Sequence, residues 1–312
     1  MSHNILVTGG AGYIGSVLVQ DLLNSGHKVT VLDNFYYKQT SLQHICYHPN
    51  FNVVKGDIRV KETVKSVTKD ADIIIPLAAL VGAPLCNQDP VGATTINHDA
   101  IEMMLSLISK DQRILMPTTN SAYGSGDENN FCTEESPLRP MSLYAKEKVK
   151  VEEKLLHHTN AISFRLATVF GMSPRMRIDL LVNDFTYRAV NDRFIVLFES
   201  GFKRNYIHVR DVSRVFQHAI ANFESMKGNI YNVGLSDANL SKKELCERIQ
   251  KQIPDFVVID APVGKDPDQR NYIVSNEKLA KTGFQTTVSI DQGISELIKG
   301  YTMIKNTLYS NV

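Results

Sequence analysis

The fold of this chain is decided by residues 4–15, which read NILVTGGAGYIG. The apolar run at residues 4–8 predicts a β-strand, and a helical pattern begins directly after the glycines. The three spaced glycines leave the backbone bare, so N–H groups can approach a pyrophosphate while the new helix points its positive end at that charge. A second apolar run ends in Asp33, eighteen residues after Gly15, where an acid hydrogen-bonds an adenosine ribose. These residues predict a dinucleotide-binding β-α-β unit.

The end of the second strand indicates which dinucleotide binds. Asp33-Asn34 places an acid where an NADP enzyme usually needs a cation for the 2′-phosphate, and the nearest cation downstream is Lys38. The sequence therefore predicts NAD as the cofactor.

Composition and charge exclude several classes of protein. The formal net charge of +1 argues against a nucleic-acid binder or a polybasic membrane clamp. The four cysteines form no C-x-x-C pair and no zinc spacing, so we predict reduced thiols and no metal. No apolar run approaches the ~20 residues that span a bilayer, and the start lacks the regions of a secretion signal. We expect a soluble, cytoplasmic protein without membrane partners.

Short apolar strands alternate with helical patterns through the first half of the chain. This alternation predicts an α/β fold with a doubly wound parallel sheet. After Gly171 the alternation weakens. Strands are predicted at residues 4–8, 28–33, 52–55, 73–78, 114–117 and 162–166, and helices at residues 14–25, 61–68, 97–109, 143–157 and 241–252.

A candidate catalytic pair follows in the motif Y-x-x-x-K, formed by Tyr144 and Lys148. Residues i and i+4 share one face of a helix, so the two side chains are neighbours. A free phenol titrates at about 10, and a fixed ammonium beside it favours the phenolate and lowers its pKa. For the motif alone, a chance pair on an amphipathic helix is the alternative interpretation.

The segment ILMPTTNSAYG, residues 114–124, is a strand that runs into a polar turn. With TGGAGYIG and Y-x-x-x-K in the same order, the sequence resembles the extended short-chain dehydrogenase/reductases, the family of NAD-dependent nucleotide-sugar epimerases and dehydratases. The resemblance implies that Thr119 orients a sugar hydroxyl, at C4, and that Tyr144 takes its proton. It also implies that the C4 hydride passes to nicotinamide and that Lys148 supports both phenolate and ribose.

The same resemblance implies a division of the chain into two parts. A Rossmann domain would span residues 1–170, and the chain would return to it around residues 206–235. A smaller C-terminal α/β substrate lobe would comprise residues 171–205 and 236–312. Two helices per subunit would form a homodimer interface.

Further site residues are implied by matching positions. Arg204 and Arg270 would bind diphosphate through their guanidinium forks, and for Arg177 a solvated surface charge is the alternative. Thr168 replaces the asparagine of the family's R-x-F-N motif, and Pro76 replaces the histidine of H-L-A-A. The implied cofactor contacts are Gly9, Gly12, Tyr13, Ile14, Gly15, Asp33, Asn34, Asp57, Ile58, Leu77, Ala78, Ala79, Asn97, Tyr144 and Lys148. The implied substrate contacts are Val81, Asn120, Ser121, Arg177, Asn183, Arg204 and Arg270.

The residues after Thr119 distinguish among the reactions that can follow oxidation at C4. Family dehydratases carry an Asp-Glu pair where this chain has Asn120 and Ser121. Decarboxylases carry Glu, and 3,5-epimerases Cys, at the position of Ser121. Since neither amide nor hydroxyl can replace a carboxylate acid or base, the remaining sequels are 4-epimerisation and release of the ketone by a 4-dehydrogenase.

Three segments resemble the GDP-heptose 4-dehydrogenases of bacterial capsule biosynthesis: LAALVGAPLC (77–86), RLATVFGMSPRMRIDLLVNDFTYRA (165–189) and RNYIHVRDV (204–212). This resemblance implies oxidation of GDP-manno-heptose at C4, with NADH reoxidised by an external acceptor such as a 2-oxo acid. The alternatives are a UDP- or GDP-hexose 4-epimerase and a non-catalytic NAD-binding regulator. The regulator is disfavoured because Tyr144 and Lys148 are both intact.

Overall fold

The computed structural model describes residues 2–125, 131–155, 157–262, 264 and 270–304. Parts of both predicted domains therefore lie outside the described residues, including positions 268–269 next to Arg270 and positions 305–312 at the end of the predicted lobe.

The described elements are numbered in chain order. The strands are β1 (Asn4–Thr8), β2 (Lys28–Asp33), β3 (Phe51–Lys55), β4 (Ile73–Pro76), β5 (Arg113–Thr119), β6 (Ala161–Leu166), β7 (Thr168–Phe170), β8 (Phe194–Leu197), β9 (Lys203–His208), β10 (Asn229–Val233), β11 (Asn239–Ser241) and β12 (Val257–Asp260). The α-helices are α1 (Gly15–Asn24), α2 (Lys61–Thr68), α3 (Ala83–Gln88), α4 (Pro90–Thr94), α5 (Ala100–Leu107), α6 (Leu143–Leu155), α7 (Leu181–Asn191), α8 (Val209–Ala221), α9 (Phe223–Met226), α10 (Lys242–Gln252), α11 (Glu277–Ala280) and α12 (Ile290–Tyr301).

Seven parallel strands form the main sheet, in the order β10-β6-β5-β4-β1-β2-β3. Alternate residues of β1 pack on opposite faces: Ile5 and Val7 join one buried cluster with α1 and α8, while Leu6 joins another with α2 and α5. Because helices cover both faces, the central strands are apolar at successive positions, as at residues 5–7 of β1 and 73–75 of β4. The predicted doubly wound parallel sheet is confirmed.

The strand order reverses between β1 and β4, which are hydrogen-bonded neighbours at the centre of the sheet. In open α/β sheets, ligands bind outside the carboxyl ends of the strands at this switch point. The loop after β1 carries the glycines, and the loop after β4 carries residues 77–82. The two loops meet because Leu77 N–H donates to the Thr8 carbonyl (2.9 Å).

The C-terminal part builds a second core around two small sheets. Strands β11, β9 and β7 form one sheet, and β8 pairs in parallel with β12 to form the other. Helices α7, α10 and α12 supply buried residues such as Val182, Leu245 and Leu297 to its core. The chain leaves this lobe through α8 and adds β10 to the main sheet beside β6. No helix among the described residues is long and apolar enough to cross a membrane.

Several local predictions differ from the structure. Strand β4 stops at Pro76 rather than residue 78, and the amide of Leu77 also donates to the Ile75 carbonyl two residues back (3.1 Å), which marks a turn. The predicted helix at residues 97–109 begins as a π-helical turn, Thr95–Asp99, before α5. Helices α3 and α4 were not predicted, although their prolines occupy first-turn positions, where a missing N–H costs nothing.

Candidate active site

In the glycine loop, Gly9 and Gly15 allow close backbone packing, whereas Gly12 faces the side open to a ligand. Gly9 adopts a positive φ of 69°, and a Cβ there would lie 2.5 Å from the Ala78 backbone nitrogen. A Cβ at Gly15 would lie 2.6 Å from Gly10 Cα, whereas one at Gly12 would meet the Gly9 carbonyl alone, at 3.1 Å. Gly12 therefore leaves the outer surface of the loop free of side-chain atoms. Ile14 is the N-cap residue of α1, which follows the loop. This geometry fits a bound pyrophosphate.

Asp33 is fixed beside this loop at the end of β2. Its carboxylate accepts hydrogen bonds from the backbone N–H groups of Ala11 (3.0 Å) and Phe35 (2.8 Å), and from the Gln39 amide (3.3 Å). Burial raises its pKa, and these hydrogen bonds oppose the rise. The position suits an acid that binds adenosine ribose, as predicted for Asp33.

The next predicted contacts lie at the same edge of the sheet. The Asn34 carbonyl oxygen Oδ1 accepts from Tyr36 N–H (3.0 Å). A double hydrogen bond from Arg59 lowers the pKa of Asp57. The side chain of Ile58 is buried with the core residues. Asn34 and Asp57 also share a side-chain hydrogen bond, so they form one polar corner next to Asp33.

Asn97 holds the loop after β4 from beneath. Its buried amide accepts from Leu80 N–H (2.9 Å) and donates to the Leu80 carbonyl (2.9 Å). The Cys86 thiol donates to the same carbonyl (3.3 Å). Asn97 was predicted to contact the cofactor, but its amide is engaged by this loop, and the structure gives it a positioning role. The loop that Asn97 orders contains the other predicted contacts Leu77, Ala78, Ala79 and Val81, all of them partly exposed.

Thr119 ends β5 and caps the turn that follows. Its hydroxyl accepts from Ser121 N–H (3.1 Å) and donates to the Ser121 hydroxyl (3.0 Å), which also accepts a hydrogen bond from the Arg270 guanidinium. Arg270 thus reaches the reacting end of the site through Ser121 rather than lying apart from it.

Asn120 is fully buried, and its amide has no hydrogen-bond partner in the described part of the chain. The structure therefore does not present Asn120 at an accessible surface, contrary to the predicted substrate contact.

Tyr144 and Lys148 lie one turn apart on α6, and the buried thiol of Cys86 is near enough to influence the pKa of both. Burial raises the pKa of Tyr144 to about 12, and the cations that oppose the rise are Arg177 and Arg270. Burial also lowers the pKa of Lys148 to about 8. The predicted lowering of the Tyr144 pKa by Lys148 stays a prediction. Desolvation of the phenol is the largest influence on that pKa and acts in the opposite direction.

A buried polar network, not predicted from the sequence, fixes α6 against the sheet. Glu152 accepts from Thr118 Oγ1 (2.9 Å), Ser163 Oγ (2.8 Å) and Arg165 Nη2 (2.6 Å). These partners lie on β5 and β6, so α6 is anchored two turns after Tyr144. A buried charge needs partners of this kind, but a Glu within a helix carries no sequence signal that identifies them.

The predicted substrate residues of the lobe fall into two groups. The guanidinium of Arg177 bonds Asp179 and influences the pKa of Tyr144 electrostatically, and Arg204 is buried at the start of β9. Asn183, by contrast, is fully buried, and its amide bonds Tyr13, Gly171 and the Arg177 carbonyl. Asn183 therefore supports the site from behind and has no exposed atoms for a substrate.

Sequence reasoning also missed residues that shape the cofactor corner. Gln39 bonds Asp33, and the Ser41 hydroxyl donates to the Ala11 carbonyl (2.8 Å). Both lie in the loop after β2, where no motif marks them. A polar residue within a few positions of the ribose-binding acid is the one signal that could have suggested them.

A parallel sheet with a glycine loop at its switch point, a buried acid after β2 and a Tyr–Lys pair define a dinucleotide-binding enzyme site. The chain belongs to the NAD dependent epimerase/dehydratase family, whose model matches residues 5–234. The family depends on NAD, and the bare surface at Gly12 together with the buried acid Asp33 fits that cofactor.

Relatives cover almost the whole chain. The low-salt glycan biosynthesis protein Agl12 of Haloferax volcanii is 28% identical over 96% of this chain and 98% of its own. A dTDP-glucose 4,6-dehydratase of Streptomyces niveus is 27% identical over 95% and 92%. Among solved structures, the Thermus thermophilus UDP-glucose 4-epimerase complex with NAD superposes with a TM-score of 0.82 at 26% identity, covering 96% of this chain and 99% of that one.

Proposed function

We propose that this protein oxidises a nucleotide-linked sugar at C4 to a 4-keto sugar, with NAD+ as the hydride acceptor. The names of two relatives, a dTDP-glucose 4,6-dehydratase and a UDP-glucose 4-epimerase, support a nucleotide sugar as substrate. The observation that carries the proposal is the cluster of Thr119, Ser121 and Arg270 beside Tyr144. Within it, Ser121 supplies a hydroxyl, bonded to the Arg270 cation, at the position where family dehydratases and decarboxylases carry a glutamate.

Each residue has a defined task in this reaction. Thr119 exchanges its hydrogen bond to Ser121 for one to the sugar hydroxyl and so orients it. Tyr144, as phenolate, takes the hydroxyl proton while the C4–H bond breaks and the C4=O bond forms. Bound NAD+ supplies the acceptor for the hydride. Lys148 holds the nicotinamide ribose and, as a cation, favours the phenolate.

The finer substrate assignment is GDP-manno-heptose, as used in capsular polysaccharide biosynthesis. It is supported by the three segments that resemble GDP-heptose 4-dehydrogenases and by Asn120-Ser121 in place of an acid pair. Arg204 would pair with the diphosphate oxygens. Released NADH would transfer its hydride to an external 2-oxo acid, forming a 2-hydroxy acid. We also propose a homodimer through α5 and α6, which sedimentation analysis tests directly.

A 4-epimerase acting on a UDP- or GDP-hexose is the second candidate, since it uses the same triad and returns the hydride to the opposite face. Substrate deuterated at C4 separates the two reactions. A dehydrogenase passes deuterium to the 2-hydroxy acid and forms ketone in proportion to added 2-oxo acid. An epimerase keeps deuterium at C4 and needs no acceptor.

Tyr144→Phe tests the chemistry common to both candidates. The variant should bind NADH normally and lose turnover by several orders of magnitude, because it has no base. Normal turnover by this variant, with either GDP- or UDP-sugars, would refute the assigned role. A parallel Tyr36→Phe variant, at an exposed phenol, should keep full activity.

A further inference from the structure

The glycine loop of the cofactor site is hydrogen-bonded to the substrate lobe through one side chain. Tyr13 lies between Gly12 and Ile14, and its phenol is buried against the lobe. The phenol donates to the Gly171 carbonyl (2.6 Å) and accepts from the Asn183 amide (3.2 Å). The backbone of Tyr13 therefore belongs to the cofactor cradle, while its hydroxyl belongs to the lobe.

Asn183 connects Tyr13 to the backbone of Arg177 through hydrogen bonds. Besides Tyr13, its amide donates to the Arg177 carbonyl (2.8 Å) and accepts from Gly171 N–H (3.0 Å). The main-chain carbonyl of Asn183 accepts from the Tyr301 phenol (3.0 Å). Since Asn183 is fully buried and every polar atom of its amide is engaged, it cannot move independently of Tyr13.

The far end of this path lies at the reacting phenol. Burial raises the pKa of both Tyr13 and Tyr144, and the charge of Arg177 opposes the rise at each, so its guanidinium is within electrostatic reach of both phenols. Its partner Asp179 lies two residues away on the same segment. The path Tyr13–Asn183–Arg177 thus runs from the loop that cradles the cofactor to the cation beside Tyr144.

A second contact joins the same regions without reaching Arg177. The Ser173 hydroxyl donates to the Tyr13 carbonyl (2.7 Å) and lies 3.0 Å from the Ser16 hydroxyl. This contact keeps the lobe attached to the glycine loop when the Tyr13 phenol is removed. A variant without the Tyr13 phenol should therefore keep the lobe attached to the glycine loop and lose only the hydrogen-bonded link through Asn183.

We propose that Tyr13 is a positioning residue that couples the two ligand sites, so that NAD(H) and the nucleoside diphosphate of the substrate bind with positive cooperativity. The inference rests on the proposed function, because it takes a nucleoside diphosphate as the second ligand. Because the Tyr13 phenol, Asn183 and the backbone of Arg177 are hydrogen-bonded in series, a cofactor that restrains the cradle also restrains the backbone of Arg177 for the second ligand. Coupling of this kind is reciprocal: each ligand tightens the other by the same factor.

The test is equilibrium titration of NADH fluorescence with and without saturating GDP, and separately UDP. In the wild-type protein the favoured nucleotide should tighten NADH binding by about 5-fold or more. Tyr13→Phe should reduce that factor to less than about 2-fold while both ligands still bind. The matched control is Tyr301→Phe, which removes another buried phenol bonded to Asn183 but does not touch the glycine loop. It should keep the wild-type factor.

The outcomes separate this inference from the function on which it rests. Equal coupling in Tyr13→Phe and wild type, or no coupling in wild type, would overturn the inference. Failure of the wild type to bind either GDP or UDP would overturn the proposed function instead. If Tyr13→Phe does not fold, Asn183→Asp serves in its place. It removes the donors to Tyr13 and Arg177 but keeps an acceptor for Gly171, and it should also lose the coupling.

Discussion

Replacing the buried lysine of the site by methionine, Lys148→Met, is expected to stabilise the cofactor-free protein while abolishing oxidation. Lys148 is only 3% exposed. Burial lowers its pKa from 10.5 to about 8. A displacement of this size corresponds to a folding penalty of about 3 kcal/mol while the group is charged. Methionine fills a similar volume without that charge.

The sign of the pH dependence follows from the lowered pKa. The unfolded chain binds more protons than the folded one between the two pKa values of Lys148, about 8 when folded and 10.5 when unfolded. The stability of the wild type therefore rises with pH across this window, and below about pH 8 the penalty is present in full. The advantage of Lys148→Met is largest at neutral pH and disappears as pH rises through the window.

Thermal melts followed by circular dichroism measure this effect on protein stripped of NAD. At roughly 2 °C for each kcal/mol in a chain of this length, the variant should melt about 4–6 °C higher at neutral pH. Lys146→Met, at an exposed position on the same helix, is the control and should change little. A Lys148→Met protein that is less stable at neutral pH, or whose gain is unchanged at about pH 10, would refute the reasoning.

Three further predictions concern the cradle, the buried network and the base. Gly9→Ala should abolish NADH binding, because its Cβ would lie 2.5 Å from the Ala78 nitrogen. The control is Gly26→Ala, which is also at positive φ but has open space around it. It should bind NADH normally and lose only about 1 kcal/mol of stability in urea denaturation. Arg165→Met should destabilise by about 3–5 kcal/mol, because Glu152 stays buried without its cation, while Arg113→Met at the exposed pair with Glu224 should change stability by less than about 1 kcal/mol. The oxidation rate should rise with pH up to about 8 as Tyr144 loses its proton. It should level off between about 8 and 12, where loss of the Lys148 charge offsets further ionisation of Tyr144, and a kcat that does not change below about pH 8 would contradict both assignments.

The strands of the main sheet and the glycine loop could be predicted because their signals are local. An apolar run such as Ile73–Pro76 or a glycine at Gly12 reports its own environment within a few residues. Strand β1 matches its predicted bounds, residues 4–8, for this reason. The same is true of the start of α10, where Ser241 and Glu244 form a capping box that the sequence displays.

The partners within the site could not be predicted, because they come from distant parts of the chain. Arg270 was predicted at the diphosphate, yet it donates to Ser121, 149 residues away. Asn183 was predicted in contact with substrate, but Tyr13, 170 residues earlier, engages its amide. A motif position specifies which element a residue lies on, whereas the packing of segments distant in the sequence decides which atoms it contacts.

The pKa of Tyr144 shows that charges on α6 alone cannot stabilise its phenolate at neutral pH. A phenol with a pKa of about 12 requires about 7 kcal/mol to become a phenolate at neutral pH. One positive charge at about 4 Å supplies only about 4 kcal/mol at an effective dielectric constant near 20. Lys148 alone is therefore insufficient. The value of about 12 already includes the lowering by Arg177 and Arg270, so the remainder would come from the positive ring of NAD+ when it is bound. The base becomes active when cofactor, lysine and lobe are assembled, which keeps a reactive phenolate from forming in the empty protein.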